Sequence, residues 1–183
     1  IARIEKESMR MGYLVEDLLM LARMDQSREL VIADVNLSEL VQEAVTSAQA
    51  AGPDHVITTN IAAGVTTKGD GDKIYQVVTN LLANARAHTP AGTAITVSAF
   101  SDGKDSFVTV ADNGPGLSAE DQARIFERFY RVDRSRSRDT GGTGLGMAIV
   151  KHVISRHHGD LKIESTLGVG SQFSLSFPKQ RIA

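Results

Sequence analysis

The sequence predicts an α+β fold: a two-layer sandwich with helices on one face of a mixed, largely antiparallel sheet, preceded by one long helix. Three observations carry this expectation. Two amphipathic helical stretches, near 37–50 and 72–88, are interleaved with short strand-like runs. The strand-like runs at 93–100 and 106–112, and at 161–166 and 171–178, form two pairs joined by short turns, "SDGKD" and "LGVG". Residues 1 to about 27 carry Ile4, Met11, Val15, Leu18 and Ala22 on alternating three- and four-residue steps, the stripe of a coiled coil or bundle helix, with Ser8 as its polar exception.

The elements follow in order. Leu14, Leu19 and Leu21 widen the opening stripe, so that helix wants more than one neighbour; half of a helical hairpin that dimerises into a four-helix bundle satisfies this. "ELVIADVN" reads as a short strand, and Asn36 followed by Glu39 begins a helix with a capping-box-like start, ended by "AAGPD". "HVITTNI" reads as a strand, then comes a Gly/Thr stretch. In "DKIYQVVTNLLANARAH" the apolar residues fall at 74, 77, 78, 81, 82 and 85, one face of a helix stopped by Pro90. "SAEDQARIFERFY" is a short helix with a Ser118 cap and an acidic first turn. Residues 131–143 are charged and Gly-rich without apolar period, the pattern of a loop, and "LGMAIVKHVISRHHG" is a helix closed by Gly159.

Composition sets outer bounds. The 183 residues are 42% hydrophobic and 23% charged, an ordinary globular mixture. A net charge of -2, from 20 Lys+Arg and 22 Asp+Glu, argues against a nucleic-acid partner. There is no cysteine, so disulfides and thiolate metal sites are excluded, which fits a reducing compartment. No run of 18 apolar residues and no signal peptide occurs. The chain opens in helical rhythm without a start Met, and is expected to be a fragment of a longer protein.

Three motifs carry chemistry. "RDTGGTGLGMAIVK", 138–151, places Gly142, Gly144 and Gly146 at or just before the first turn of a helix. Free amides and the helix dipole there favour an anion, with phosphate the natural guest. The Gly-Lys-Ser/Thr of a Walker loop is absent, and "RSRSRDT" cannot be the buried strand that a dinucleotide loop follows. "DNGPG", Asp112 to Gly116, ends a strand with a carboxylate able to accept from an exocyclic amine, and its glycines allow a flat ring to approach. "NLLAN" sets Asn80 and Asn84 one turn apart on one face, and an Asn carbonyl is a hard ligand suited to Mg²⁺. A flexible hinge, a plain Asn-Gly turn and polar surface are the bland alternatives to the three motifs taken singly.

Taken in order, "NLLANARAHT", "DNGPG", "FERFYR" and "GGTGLGMAIVK" resemble the N, G1, F and G2 boxes of the sensor histidine kinases of two-component systems, in the GHKL superfamily shared with DNA gyrase. "GVGSQF" resembles that family's last glycine motif, and "LVEDLLMLARMD" the second helix of its dimerisation hairpin. The resemblance implies the Bergerat ATP-binding fold over 29–183, with residues 1–28 the end of the phosphoacceptor hairpin. It implies ATP and Mg²⁺ as cofactors, with Asn84 on the metal and Asn80 beside it in the ATP site. Asp112 would take the adenine amine, Gly114 and Gly116 would shape the ring pocket, and Ser171 would supply a nearby hydroxyl. Gly142, Thr143, Gly144, Leu145 and Gly146 would meet the phosphates; residues 131–141 would form a lid, anchored by Phe126 and Phe129 on apolar ground.

Two departures stand out. The family's Lys or Arg three residues after the magnesium Asn is Ala87 here; its neighbour Arg86 is turned by about 100°, so a lid arginine, Arg131 first, is expected to compensate. The phosphoacceptor histidine in its His-Glu/Asp-x-Arg setting is missing: none of His55, His88, His152, His157 and His158 has that setting. His157 and His158 close a helix, where a cationic ring suits the dipole, and His88 reads as local packing or polar surface at the nucleotide's edge. The chain is therefore expected to bind ATP without autophosphorylating and to pass the γ-phosphoryl to a histidine helix of the same protein or a dimer partner, for relay to an Asp of a response regulator receiver domain. The family habit places the parent in a membrane-anchored homodimer with this region in the cytoplasm. A GHKL ATPase and a non-catalytic nucleotide-binding interaction module are the alternatives. The ATPases carry a Glu where this chain has Asn80, which cannot take a proton from water.

Overall fold

A computed structural model describes residues 29–132 and 144–179. The expected dimerisation helix, 1–28, lies outside the described residues, as do Gly142, Thr143 and most of the lid.

A small antiparallel pair comes first: β1 (Ala33–Asn36) against β3 (Thr66–Gly69). Between them run α1 (Leu37–Ala50) and β2 (Val56–Ile61). Helix α2 (Gly71–His88) leads to β4 (Ala94–Ser101) and β5 (Asp105–Asp112). Then come α3 (Ala119–Arg124), α4 (Gly146–Arg156), β6 (Asp160–Thr166) and β7 (Gly170–Pro178). The main sheet has the order β2-β4-β5-β7-β6, parallel at β2/β4 and antiparallel elsewhere. The expected mixed, largely antiparallel sandwich is the fold observed.

Period-2 alternation decides which face is covered. Ile95, Val97, Ala99, Val108, Val110, Leu175 and Phe177 point inward and are buried against Val41, Val77, Leu81 and Val150 of the helices. The other face is rich in hydroxyls and is open among the described residues: Thr58 and Thr96 bond each other across β2/β4 at 3.2 Å, and Gln172 donates to Ser174 at 3.3 Å. Phe100 and Phe107 stack there with centroids 5.1 Å apart.

The helix starts at Asn36 and Ser118 are those the sequence signals, while the Asp70 cap of α2 lies just ahead of the stretch the sequence marked. Asn36 accepts from the Glu39 amide (3.3 Å), Asp70 from that of Lys73 (3.2 Å) and Ser118 from that of Asp121 (3.1 Å). Two strand expectations need correction. "ELVIADVN" is strand only from Ala33, with Val31 76% exposed. The Gly/Thr stretch contains β3, which has no apolar alternation because its pairing with β1 and the burial of Thr67 hold it.

His157 corrects a third expectation, that it would suit a cationic ring. It is buried at the end of α4, where the Asp70 amide donates to Nε2 (3.0 Å) and Nδ1 lies 2.8 Å from the Val153 carbonyl. A carbonyl only accepts and an amide N–H only donates, so the ring is neutral with its proton on Nδ1. Burial holds its pKa below the ordinary value, outweighing the Val153 carbonyl and Asp70. The ring thus pins the end of α4 to the start of α2.

Candidate functional site

The described parts of the three motifs meet along α2. At mid-helix, Asn80 and Asn84 are half-buried one turn apart. Asn80 Nδ2 reaches the Gly146 carbonyl at 3.5 Å, and a Cβ built on Gly146 would lie 4.0 Å from Asn80 Cγ, so the start of α4 abuts this face. Nine residues on, about 13 Å of helix, the "DNGPG" loop packs against the end of α2: a Cβ on Gly114 would lie 2.5 Å from Thr89 Cγ2.

Helix α4 begins without a side-chain cap; Leu145 occupies the cap position with its side chain buried in the core, so only its backbone is available to a ligand. Among the described residues no side chain caps this end, so the first-turn amides can serve an external acceptor. Gly144 is latched to the F-box segment, since its carbonyl accepts from the Phe129 amide at 3.0 Å.

Asp112 pairs with Ser171 across β5/β7. Its carboxylate accepts from the Gly114 amide at 2.9 Å and from the Ser171 amide. Partial burial raises its pKa, and the two amides oppose the rise. Main-chain contact fixes this end of the site. A Cβ on Gly116 (φ +68°) would fall 2.1 Å from the Thr166 carbonyl oxygen, and one on Gly170 (φ +139°) 2.0 Å from that of Asp112. Beyond shaping any ring pocket, Gly116 therefore lets the loop lie on the β6–β7 turn.

Arg86 turns away from the site. Its guanidinium donates to the carbonyls of Ala48 and, at 3.3 Å, Gly52, capping the end of α1. Ala87, where the family carries a base, lines an open hollow of about 350 Å³ with Ala51, Asp54, His55, Ala83 and Arg86. Arg131 faces His88 at the end of α2; loss of water around the ring and the guanidinium's charge both hold that imidazole below its ordinary pKa.

The F box departs from expectation at one residue. Phe126 packs on the core, but Phe129 is 52% exposed among the described residues, with φ +64°. Tyr130 fixes the segment instead: its hydroxyl donates to Asp121 Oδ1 at 2.7 Å, under the Arg124 guanidinium at 4.4 Å from the ring centroid. Arg124 also pairs with Glu120 and Glu127, the solvated reading of the arginine run. The sequence reading passed over Ser165, which bonds Leu117, Gly170 and Ser171. Its signal was available: in "LKIEST" a hydroxyl follows Leu161 and Ile163 on the inward face. Among the described residues no group of three or more His, Cys, Asp or Glu could hold a metal by itself, so Asn84 would need a ligand's oxygens to complete a coordination shell.

Residues 69–181 match the family described as "Histidine kinase-, DNA gyrase B-, and HSP90-like ATPase". Among curated proteins, the Mycobacterium tuberculosis protein named "Probable sensor histidine kinase TcrY" is 44% identical over 97% of this chain and 38% of its own length. "Sensor-like histidine kinase SenX3" of Mycolicibacterium smegmatis is 40% identical over 94% of the chain and 46% of its own. The chain thus spans less than half the length of these relatives. Among solved structures, full-length ShkA in complex with AMPPNP aligns with a TM-score of 0.75 at 29% identity, over 92% of this chain and 36% of ShkA. The catalytic domain of histidine kinase ThkA, at 24% identity and TM-score 0.71 over 81% of this chain and 95% of its own, shares the fold. The chain belongs to the histidine kinase-, DNA gyrase B- and HSP90-like ATPase family, as an ATP-binding catalytic domain of the sensor histidine kinase type.

Proposed function

We propose that residues 29–183 bind ATP with Mg²⁺ along the α2 wall and present its γ-phosphoryl group to a histidine, and that residues 1–28 are the closing part of the dimerisation hairpin that carries it. The observation that carries this reading is the uncapped start of α4 beside the Asn80/Asn84 face, with Asp112 at the far end of the same helix. The uncapped amides suit phosphates, the two side-chain amides suit a phosphate-bound cation, and the half-buried carboxylate suits an exocyclic amine.

In this reading Asp112 and Ser171 hold the adenine edge, with Gly114 and Gly116 forming the loop beside the ring. The backbone of Gly142, Thr143, Gly144, Leu145 and Gly146 cradles the phosphates, and Asn80 and Asn84 face the metal. Mg²⁺, when bound through Asn84, neutralises phosphate charge. Arg131 brings to the polyphosphate the positive charge that Ala87 lacks and that Arg86 spends on α1. A histidine nitrogen then attacks the γ-phosphorus, the bond to the bridging oxygen breaks and ADP leaves; the protein contributes position and charge. Asn80 argues against hydrolysis, because an amide cannot take the proton of an attacking water. The histidine belongs to a helix of the same protein or its dimer partner, in a membrane-anchored parent whose catalytic region faces the cytoplasm, and a receiver-domain Asp takes the phosphoryl onward. Among the described residues no helix is long and apolar enough to cross a membrane.

Two measurements test the reading. An ATP analogue should bind the wild-type chain in a Mg²⁺-dependent manner, and Asp112→Ala should remove most of that affinity; equal affinity in the variant overturns the site. Adding a helix that bears the upstream histidine should then yield acid-labile phosphate. Free phosphate without phosphohistidine would favour the ATPase, and no turnover with intact binding the interaction module.

A further inference from the structure

The hydrogen bonds around Ser165 fix the direction of a proton beside Asp112. Ser165 Oγ accepts from the Leu117 amide at 2.7 Å. Its own proton goes to the Gly170 carbonyl at 3.0 Å, an atom that can only accept. Ser165 has then spent its proton and keeps one lone pair. Ser171 Oγ lies 2.9 Å away, so in that contact Ser171 is the donor. With its proton turned toward Ser165, the hydroxyl of Ser171 shows only lone pairs elsewhere. Its strand partner Asp112 is a carboxylate, which also only accepts.

We propose that Ser165 is a positioning residue for base selection: by taking the proton of Ser171 it leaves a wall of acceptors beside Asp112, which favours a 6-amino over a 6-oxo purine. This rests on the reading above, in which Asp112 and Ser171 face the base. A 6-amino group donates into such a wall, whereas a 6-oxo group sets oxygen against oxygen and leaves both partners unpaired. The same hydroxyl holds Leu117, at the start of the segment leading to α3, so base recognition and the root of the F box share one atom. Gln122 secures the surrounding main chain separately: Nε2 donates to the carbonyls of Ser165 (2.9 Å) and Leu117 (3.0 Å). Removing the Ser165 hydroxyl should therefore leave those two segments joined.

The test compares Mg²⁺-dependent affinities for ATP and inosine triphosphate by calorimetry, with the melting temperature of each variant recorded. Wild type should prefer ATP. Ser165→Ala should cut the ATP-to-inosine ratio about fivefold, the factor of one ordinary hydrogen bond, because Ser171 regains a proton it can offer to an oxygen. Ser165→Thr, which keeps the hydroxyl, should restore the ratio. In a Ser171→Ala background Ser165→Ala should change it no further, an outcome a merely structural role would not produce. Should Ser165→Ala fail to fold, Ser165→Cys, a weaker donor and acceptor in the same place, should lower the ratio by a smaller factor. An unchanged ratio in folded Ser165→Ala or, where that does not fold, in Ser165→Cys, or the same change in both backgrounds, overturns the proposal while leaving the nucleotide site standing. Binding of neither nucleotide by wild type overturns the site reading and this inference with it.

Discussion

Arg86 separates a structural cation from a functional one, and its replacement gives a quantitative test. Arg86→Met keeps the apolar stem while removing the donors to Ala48 and Gly52 at the end of α1. Hydrogen bonds from a charged donor contribute about 1.5–3 kcal/mol each when shielded. Arg86 is half-buried and the freed carbonyls can find water, so the expected loss is about 2 kcal/mol in total. For a chain of this size that lowers the melting temperature by roughly 4–8 °C. ATP-analogue affinity, measured well below the transition, should stay within about twofold, since no charge leaves the phosphate site. Arg131→Ala should do the reverse, weakening the analogue about tenfold as a charge-assisted phosphate contact is lost, with little change in melting. A tenfold loss of affinity in Arg86→Met at unchanged melting temperature would refute the capping role, and full affinity in Arg131→Ala would refute compensation by the lid arginine.

Two further outcomes are expected. Gly116→Ala sets a side chain on a φ of +68° and 2.1 Å from the Thr166 carbonyl oxygen, so it should lose more than about 2 kcal/mol in denaturant unfolding and weaken the ATP analogue; a wild-type midpoint would mean the loop relaxes freely. His157 gives a pH dependence. Its folded pKa lies below its unfolded value of about 6.5, so the unfolded chain takes the proton first. The stability linked to this ring is complete above that value and is lost as pH falls through the folded pKa. Unfolding free energies measured from pH 8 down to 5 should show a decline that His157→Gln lessens, and parallel curves for the two proteins would discard the neutral pin.

Local periodicity made most of the fold legible. The apolar positions of α2, from Ile74 to Ala85, are all buried as the 3.6-residue pattern required, and the caps at Asn36 and Ser118 sit where their side chains could reach the third amide. What escaped the sequence depends on tertiary partners. Strand β3 has no alternation to read, and only β1 makes it a strand. The 100° turn of Arg86 was legible, but not the α1 carbonyls that receive it. His157 met a buried amide rather than solvent, which reversed its expected charge state. For the candidate site the motifs marked the wall, while its direction-giving hydrogen bonds, Ser165 above all, arise between strands and leave a trace only in the breach of inward apolar alternation.

The open sheet face has a mechanical consequence. In a three-layer protein a helix that shifts over the sheet disturbs packing that the opposite layer also braces. Here no described element covers the far side, where hydroxyls such as Thr58 and Thr96 bond each other. The sheet can therefore serve as a stiff backplate, and small slides of α2 or α4 across it would repack a single interior.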